Sequence, residues 1–126
     1  MLFTLFLSCS NTDILNLEGY TDGESYYVVV DTDPSPVPFN EEFSTSVSVY
    51  SSDKKDLSLS DVVVDVDSSM PSHGHGMNQS PTMTGPTNGV FTAEGLLWHM
   101  EGEWQLTVYV SGESNEHLSF ALDCCQ

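Results

Sequence analysis

From residue 26 onward, much of the chain alternates apolar and small polar residues with the period of two that is typical of half-buried β-strands. The clearest example is residues 43–50, FSTSVSVY, in which Phe43, Thr45, Val47 and Val49 share one face. A β-branched and aromatic run, YYVVV, begins at residue 26 and is followed by a proline-rich turn. These patterns predict a strand at each site, and similar patterns predict further strands at 57–66, 90–93, 96–100, 104–110 and 117–123.

Turn signals separate these short strands, and no segment of the sequence carries a convincing helical stripe. We therefore predict an all-β fold, an immunoglobulin-like antiparallel β-sandwich of about seven strands. The 126 residues suit one domain, to which we assign residues 26–123. Trp104, Leu106, Val108 and Val110 share a face of one strand, and the EGE sequence between Met100 and Trp104 predicts a hairpin turn.

Both ends of the chain differ from this domain. Residues 1–9, MLFTLFLSC, form a short apolar run ending in a cysteine, which predicts a truncated lipoprotein signal with Cys9 as the lipidation site. A frayed or core-packed N-terminus is the alternative, since no Lys or Arg precedes the run. Residues 10–25 are polar and acidic and predict a tether, and residues 124–126 form a Cys-Cys-Gln tail.

The charge balance narrows the possible partners. Nineteen acidic residues stand against Lys54 and Lys55, which gives a net charge of −17. Nucleic acid is excluded as a partner because a polyanion is held by basic side chains, and an anionic membrane surface is repelled for the same reason. We expect contact with a membrane only through a lipid anchor on Cys9, whereas the charge favours cations.

Residues 67–88 carry no period and predict a long loop, which contains the sequence MPSHGHGM at positions 70–77. His73 and His75 lie two residues apart between glycines, with Met70 and Met77 at the ends. Imidazole and thioether groups are soft ligands that suit copper, with Cu(I) favoured. Zinc held by the histidines and a carboxylate is the alternative metal.

His99 and Met100 are further candidate ligands, because they precede the predicted turn at Glu101. Alternating side chains on a strand point in opposite directions, so one of the two is expected to contribute rather than both. Met100 could equally belong to the core. The sequence contains no Gly-x-Ser-x-Gly, Walker or HExxH motif, and we predict that the protein is not an enzyme.

With these motifs in hand, residues 36–110 resemble the YtkA-like domain, which is related to the FixH family of exported bacterial proteins. The resemblance runs through PVPFNEEF, VVVDVDSSMPSHGHGM and NGVFTAEGLLWHMEGEWQLTVYV. The matching positions are Met70, Pro71, His73, Gly74, His75, Gly76, Gly89, Phe91, Met100, Gly102 and Trp104.

The resemblance implies an immunoglobulin-like β-sandwich outside the cytoplasm, in a family often discussed with copper handling or cytochrome oxidase biogenesis. Together with the predicted lipid on Cys9, this leads us to expect a periplasmic or cell-envelope location with a lipid anchor, and a protein partner if the metal is transferred. The family pattern does not cover Cys124 and Cys125, which could form a vicinal disulfide, pair between molecules or add soft ligands.

Two functions follow from this reading. The first is an extracytoplasmic module that buffers or passes a soft metal ion, most simply copper. The alternative is a structural or protein-interaction module of immunoglobulin type, in which the histidine loop contacts a partner and holds no metal.

Overall fold

The computed structural model describes residues 17–53 and 58–125. A 3-10 turn, Pro71–His73, lies within a succession of nine described strands. The strands are β1 (Leu17–Tyr20), β2 (Tyr26–Asp33), β3 (Glu42–Ser51), β4 (Val63–Met70), β5 (His75–Gly76), β6 (Thr82–Thr87), β7 (Val90–Leu97), β8 (Gly102–Ser111) and β9 (Asn115–Cys124).

The strands form two sheets, in the orders β1-β2-β3-β7-β6 and β5-β4-β8-β9, and every neighbouring pair is antiparallel. This confirms the predicted all-β sandwich. Three of the nine described strands, β1, β5 and β6, were not predicted, and two predicted strands are one. Strands β1 and β5 are short segments without enough residues to show an alternating pattern.

The core lies between the inner faces of the two sheets. On β3, Phe43, Thr45, Val47 and Val49 are buried while their neighbours are partly exposed, as the alternation predicted. The facing strand β8 contributes four fully buried residues, and removing such apolar surface from water is the main force that holds two sheets together. These four are Trp104, Leu106, Val108 and Val110, as predicted.

Two predicted strand boundaries differ from the structure. The strand expected at 57–66 begins at Val63 and continues to Met70, because Asp65 and Asp67 occupy its solvent-facing positions instead of starting a turn. Each of these carboxylates accepts a hydrogen bond from the next backbone N–H. The two strands expected at 90–93 and 96–100 are one strand, β7, in which Gly95 has a φ of +85° at an irregularity in the pairing with β3.

The predicted hairpin between Met100 and Trp104 is wrong. Strands β7 and β8 belong to different sheets, so the segment 98–101 crosses from one sheet to the other. A short glycine-containing turn indicates a change of direction, but it does not say whether the next strand pairs with the last one or with the facing sheet. This crossing meets the end of β4 at one end of the sandwich.

The first described residues belong to the domain and not to a tether. Leu17–Tyr20 pair with β2, and the Glu116 carboxylate on β9 accepts hydrogen bonds from the Ser25 backbone N–H at 3.0 Å and from the Thr21 hydroxyl at 2.6 Å. Hydrogen bonds from Ser25 and Thr21 lower the pKa of Glu116 from 4.5 to about 2.

Residues 17–25 of the predicted tether are therefore part of the domain. The tether's residues 10–16 lie outside the described residues, as do the predicted signal 1–9 and Cys9. Cys124, placed in the predicted tail, ends strand β9. Within the described ranges, no helix is long and apolar enough to cross a bilayer.

Candidate metal centre

The sequence MPSHGHG forms an ordered turn at one end of the sandwich. Pro71 opens the 3-10 turn, where its missing N–H costs nothing, and Gly74 closes it with a φ of +70°. The Gly74 N–H donates to the carbonyls of Met70, at 2.9 Å, and Pro71, at 3.2 Å. The chain then returns as β5, with His75 opposite Met70. The expected long loop at 67–88 is thus largely regular, since β6 follows at Thr82–Thr87.

This turn brings three of the four histidines together. The ring centres of His73 and His75 are 5.8 Å apart, and those of His75 and His99 are 5.4 Å apart. His99 comes from the segment that crosses between the sheets, so two separate parts of the chain build the group. His73 is exposed, while His75 and His99 are half-buried.

The hydrogen bonding of His75 fixes which of its nitrogens is free. His75 Nδ1 lies 2.9 Å from the Gly76 carbonyl oxygen. A carbonyl can only accept, so Nδ1 carries the proton and the Nε2 lone pair of the neutral ring is left unprotonated. His99 Nδ1 is buried and has no hydrogen-bond partner among the described residues. A buried polar nitrogen without a partner is costly, and such atoms often indicate a missing ligand.

Two tryptophans form an apolar wall beside the histidines. The Trp104 ring meets His75 edge-on at 6.2 Å and His99 at 5.7 Å. Trp98 stacks on Trp104 with ring centres 5.4 Å apart, and both rings are fully buried. Trp98 Nε1 donates to the buried Ser68 hydroxyl at 2.9 Å, and Trp104 Nε1 donates to the Met100 carbonyl at 2.9 Å. These bonds fix both rings and the backbone before β8.

Three methionines, Met70, Met77 and Met100, lie at this end of the sandwich in different environments. Met70 is fully buried, and its methyl group lies against Gly102, where an added Cβ would come within 2.8 Å of it. Met77 and Met100 are partly buried and pack against the core. His99 and Met100 are both half-buried at the strand crossing, where the regular alternation that led us to expect one of them has ended.

Within positions 17–53 and 58–125, no group of three or more His, Cys, Asp or Glu side chains is arranged to hold a metal ion. A site that combines two histidines with methionine thioether sulfur does not need three ligands of those four types. The residues that could form such a site are His75, His99, Met77 and Met100.

Sequence reasoning found every histidine of this group but did not find the tryptophan wall. Trp104 was predicted to face the core, and Trp98 to lie beside His99, yet nothing in the pattern showed that the two rings would stack under the histidines. No local sequence signal shows it, because the stack depends on the change of sheet between Trp98 and Trp104.

Comparison with known proteins places the chain in a family. The model of the family described as YtkA-like matches residues 22–109. The chain belongs to the YtkA-like family. The match covers the ordered turn, His99 and the tryptophan wall, and it ends before β9. It confirms the resemblance seen in the sequence.

No curated protein matches the chain. The fold is similar to the crystal structure of a DUF4785 family protein from Legionella pneumophila, with a TM-score of 0.52 and 20% sequence identity. The match covers 79% of this chain but only 28% of that chain, so this YtkA-like protein corresponds to a small part of the larger molecule. At this identity the similarity supports the fold alone.

Proposed function

We propose that this YtkA-like protein is an extracytoplasmic binding module for a soft metal ion, Cu(I), and that it buffers the ion or passes it to a protein partner. His75 and His99 provide the imidazole ligands, and Met77 or Met100 provides thioether sulfur. The protein acts as a carrier and not as an enzyme, and a lipid on Cys9 holds it at the cell envelope.

The observation that carries the proposal is the pairing of His75 with His99. Two imidazoles bound to one ion through bonds of about 2.0 Å have ring centres about 5 to 6 Å apart. The separation of these two rings, 5.4 Å, falls in that range. His75 offers Nε2, because Nδ1 donates to Gly76, and the partnerless Nδ1 of His99 is a second available nitrogen.

The surroundings favour Cu(I) over harder ions. The apolar Trp104 ring lies beside both His75 and His99, and Met77 and Met100 are partly buried against the core. Soft thioether ligands select Cu(I), whereas Ca²⁺ and Mg²⁺ require oxygen ligands. The net charge of −17 attracts cations to the protein from solution.

The exposed His73 suits a transfer function. Its ring lies 5.8 Å from that of His75 on the solvent side of the group, so it can accept the ion before or after the inner pair. Ligand exchange between carrier proteins requires one accessible ligand, which a fully enclosed site does not have.

The test is a Cu(I) titration in competition with a chromophoric chelator. We expect stoichiometric binding by the native protein and a loss of about a hundredfold or more in affinity for His75→Ala/His99→Ala, since two of its few ligands are gone. His117→Ala is the matched control, because His117 is 51% exposed and pairs with Asp22 at the other end of the sandwich.

Failure of the native protein to compete for Cu(I) would refute the proposal and favour the interaction module, whose partner would then be sought with the His73→Ala variant as the negative control. Equal losses in the double variant and in His117→Ala would mean that copper binds histidines without a defined site.

A further inference from the structure

Strand β9 is an edge of the four-stranded sheet, since β8 pairs with one side of it and no described strand pairs with the other. The His117 carbonyl accepts from the Asp22 N–H at 2.9 Å, and the His117 N–H donates to the Asp22 carboxylate at 3.0 Å, so both His117 groups point away from β8. Backbone groups alternate between the two sides of an antiparallel strand, and the register of β9 with β8 has no shift. The N–H and C=O groups of Ser119, Ala121 and Asp123 therefore also point outward.

The other described edges are protected in ways that β9 is not. Strands β1 and β5 have only four and two residues. Strand β6 contains Pro86, which has no N–H, and its pairing with β7 shifts between Thr84 and Thr87. Short strands, prolines and irregular pairing all prevent an edge from pairing with another chain. Strand β9 has ten regularly paired residues without proline, and beyond His117 its outward backbone groups have no partner among the described residues.

The apolar side chains beneath this edge are incompletely covered. Leu118 and Phe120 face the core, because they alternate with the outward residues of β9, but both are only partly buried. Their neighbours on the same face, Glu116 and Leu122, are buried. Gly19 of β1 lies against Leu118, at 3.6 Å from an added Cβ, and has no side chain to cover it. A strand added beside β9 would therefore remove further apolar surface from water.

Two carboxylates lie directly opposite each other at this edge. Asp123 on β9 is in register with Glu103 on β8, and both side chains are exposed. Like charges at directly opposite positions destabilise a sheet. Residues 17–53 and 58–125 contain no lysine or arginine, so no such side chain there offsets this carboxylate pair. A strand added beside β9 would place one of its side chains next to Asp123, where lysine or arginine would replace repulsion by attraction.

We propose that the outer edge of β9, from Ser119 to Asp123, binds an extended segment of a partner protein, which joins the four-stranded sheet as a fifth strand. The segment has lysine or arginine on its outer face and apolar residues at the alternate positions. Backbone hydrogen bonds along the edge provide affinity, and the alternating side chains provide specificity. The basic side chains meet the carboxylate pair, and the apolar ones cover Leu118 and Phe120.

A second copy of this chain does not have these properties. Each copy carries the same carboxylate pair and a net charge of −17, so two β9 edges repel each other. The edge is also separate from the histidine group, because β5 and β9 are the opposite edges of the four-stranded sheet. The inference therefore goes beyond metal binding and does not depend on it.

The test uses the full chain and a synthetic peptide of about nine residues that alternates lysine and valine. Amide hydrogen exchange, measured by NMR, reports on the outward N–H groups of Ser119, Ala121 and Asp123. In the free protein we expect fast exchange at all three, whatever the protein concentration. Saturating peptide should slow the three by about tenfold or more. The His117 N–H, which already donates to Asp22, should change little and is the internal reference.

Two variants at one exposed position separate backbone pairing from attraction between charges. Ala121→Pro removes an outward N–H without breaking a bond to β8, and its ring occupies space that an added strand needs. We expect it to lower the affinity for labelled peptide, measured by fluorescence anisotropy, by about tenfold or more. Ala121→Val keeps the N–H and should bind like the native protein. Peptides with glutamate in place of lysine, or methylated at every backbone nitrogen, should not bind.

Equal peptide affinity of Ala121→Pro and Ala121→Val, or binding of the methylated peptide, would mean that charge alone attracts the peptide and would overturn the inference. Slow exchange at Ser119 and Ala121 in the free protein would also overturn it. If that protection rises with concentration, a second copy occupies the edge, and otherwise the chain covers its own edge. If Ala121→Pro does not fold, the methylated peptide decides, because it leaves the protein unchanged. Equal Cu(I) binding by the two variants keeps this result separate from the histidine site.

Discussion

Gly102 and Gly74 both lie at the candidate metal centre with positive φ angles, but a side chain would meet different surroundings at each. Gly102 has a φ of +131°, and an added Cβ would come 2.8 Å from the Met70 methyl group. Gly74 has a φ of +70°, and an added Cβ would meet nothing within 4 Å. Replacing each glycine by alanine therefore separates backbone strain from contact with Met70.

The expected costs of the two substitutions differ by about 1 to 3 kcal/mol. Gly74→Ala should lower the free energy of unfolding by about 1 kcal/mol, the usual cost of a left-handed L-residue. The φ of Gly102 lies in a region that glycine populates almost alone, which costs about 1 to 3 kcal/mol. Moving the Met70 methyl off its rotamer adds about 0.5 to 1.5 kcal/mol, because it is the end of a flexible side chain. Gly102→Ala should therefore cost about 2 to 4 kcal/mol in all.

Urea unfolding followed by tryptophan fluorescence measures both variants. With a slope of about 2 kcal/mol per molar urea, the midpoint should fall by about 0.5 M for Gly74→Ala and by about 1.5 M for Gly102→Ala. In a Met70→Ala background, Gly102→Ala should lose the contact part of its cost and keep the backbone part. Equal midpoint shifts for the two single variants would refute the reasoning.

Three further predictions concern other parts of the molecule. Ser68→Ala leaves the buried Trp98 N–H without its acceptor and should lower the free energy of unfolding by about 1 to 3 kcal/mol, measured by thermal melting. The pKa of Glu116 is lowered to about 2, so the stability that its carboxylate contributes is complete above pH 4.5 and is lost as the pH falls towards 2. Glu116→Gln should remove this pH dependence. In acid unfolding curves, the stability of the variant and that of the native protein should therefore converge near pH 2. Because Trp104 lies 5.7 Å from His99, binding of copper should quench tryptophan emission in proportion to occupancy, and an unchanged spectrum at full loading would place the ion elsewhere.

The β-sandwich could be predicted from the sequence because a strand with one buried face has apolar residues at alternate positions. The faces of β3 and β8 were predicted residue by residue, since one face of each strand is apolar and the other is not. Boundaries were predicted less well where polar residues occupy solvent-facing strand positions. Asp65 and Asp67 look like turn residues in the sequence, although they continue β4.

The candidate site was only partly predictable, because its geometry depends on contacts between distant segments. The ligand types were readable from MPSHGHGM, but the approach of His99 to His75 depends on the crossing between sheets, which was interpreted as a hairpin. Side-chain periodicity shows which face of each strand is buried. A binding site forms where residues from different strands and turns come together, and periodicity does not show which segments meet.

We propose that His75 and His99 bind one Cu(I) ion together with thioether sulfur. X-ray absorption spectroscopy of the Cu(I)-loaded Cys9→Ser/Cys124→Ala/Cys125→Ser protein, kept in air-free buffer, tests it most directly, because without cysteine any sulfur bound to the metal is thioether sulfur. We predict two imidazole nitrogens and at least one sulfur in the first shell of the metal, with the imidazole signal lost in His75→Ala/His99→Ala. A first shell of oxygen alone, or an imidazole signal that survives the double substitution, would contradict the account.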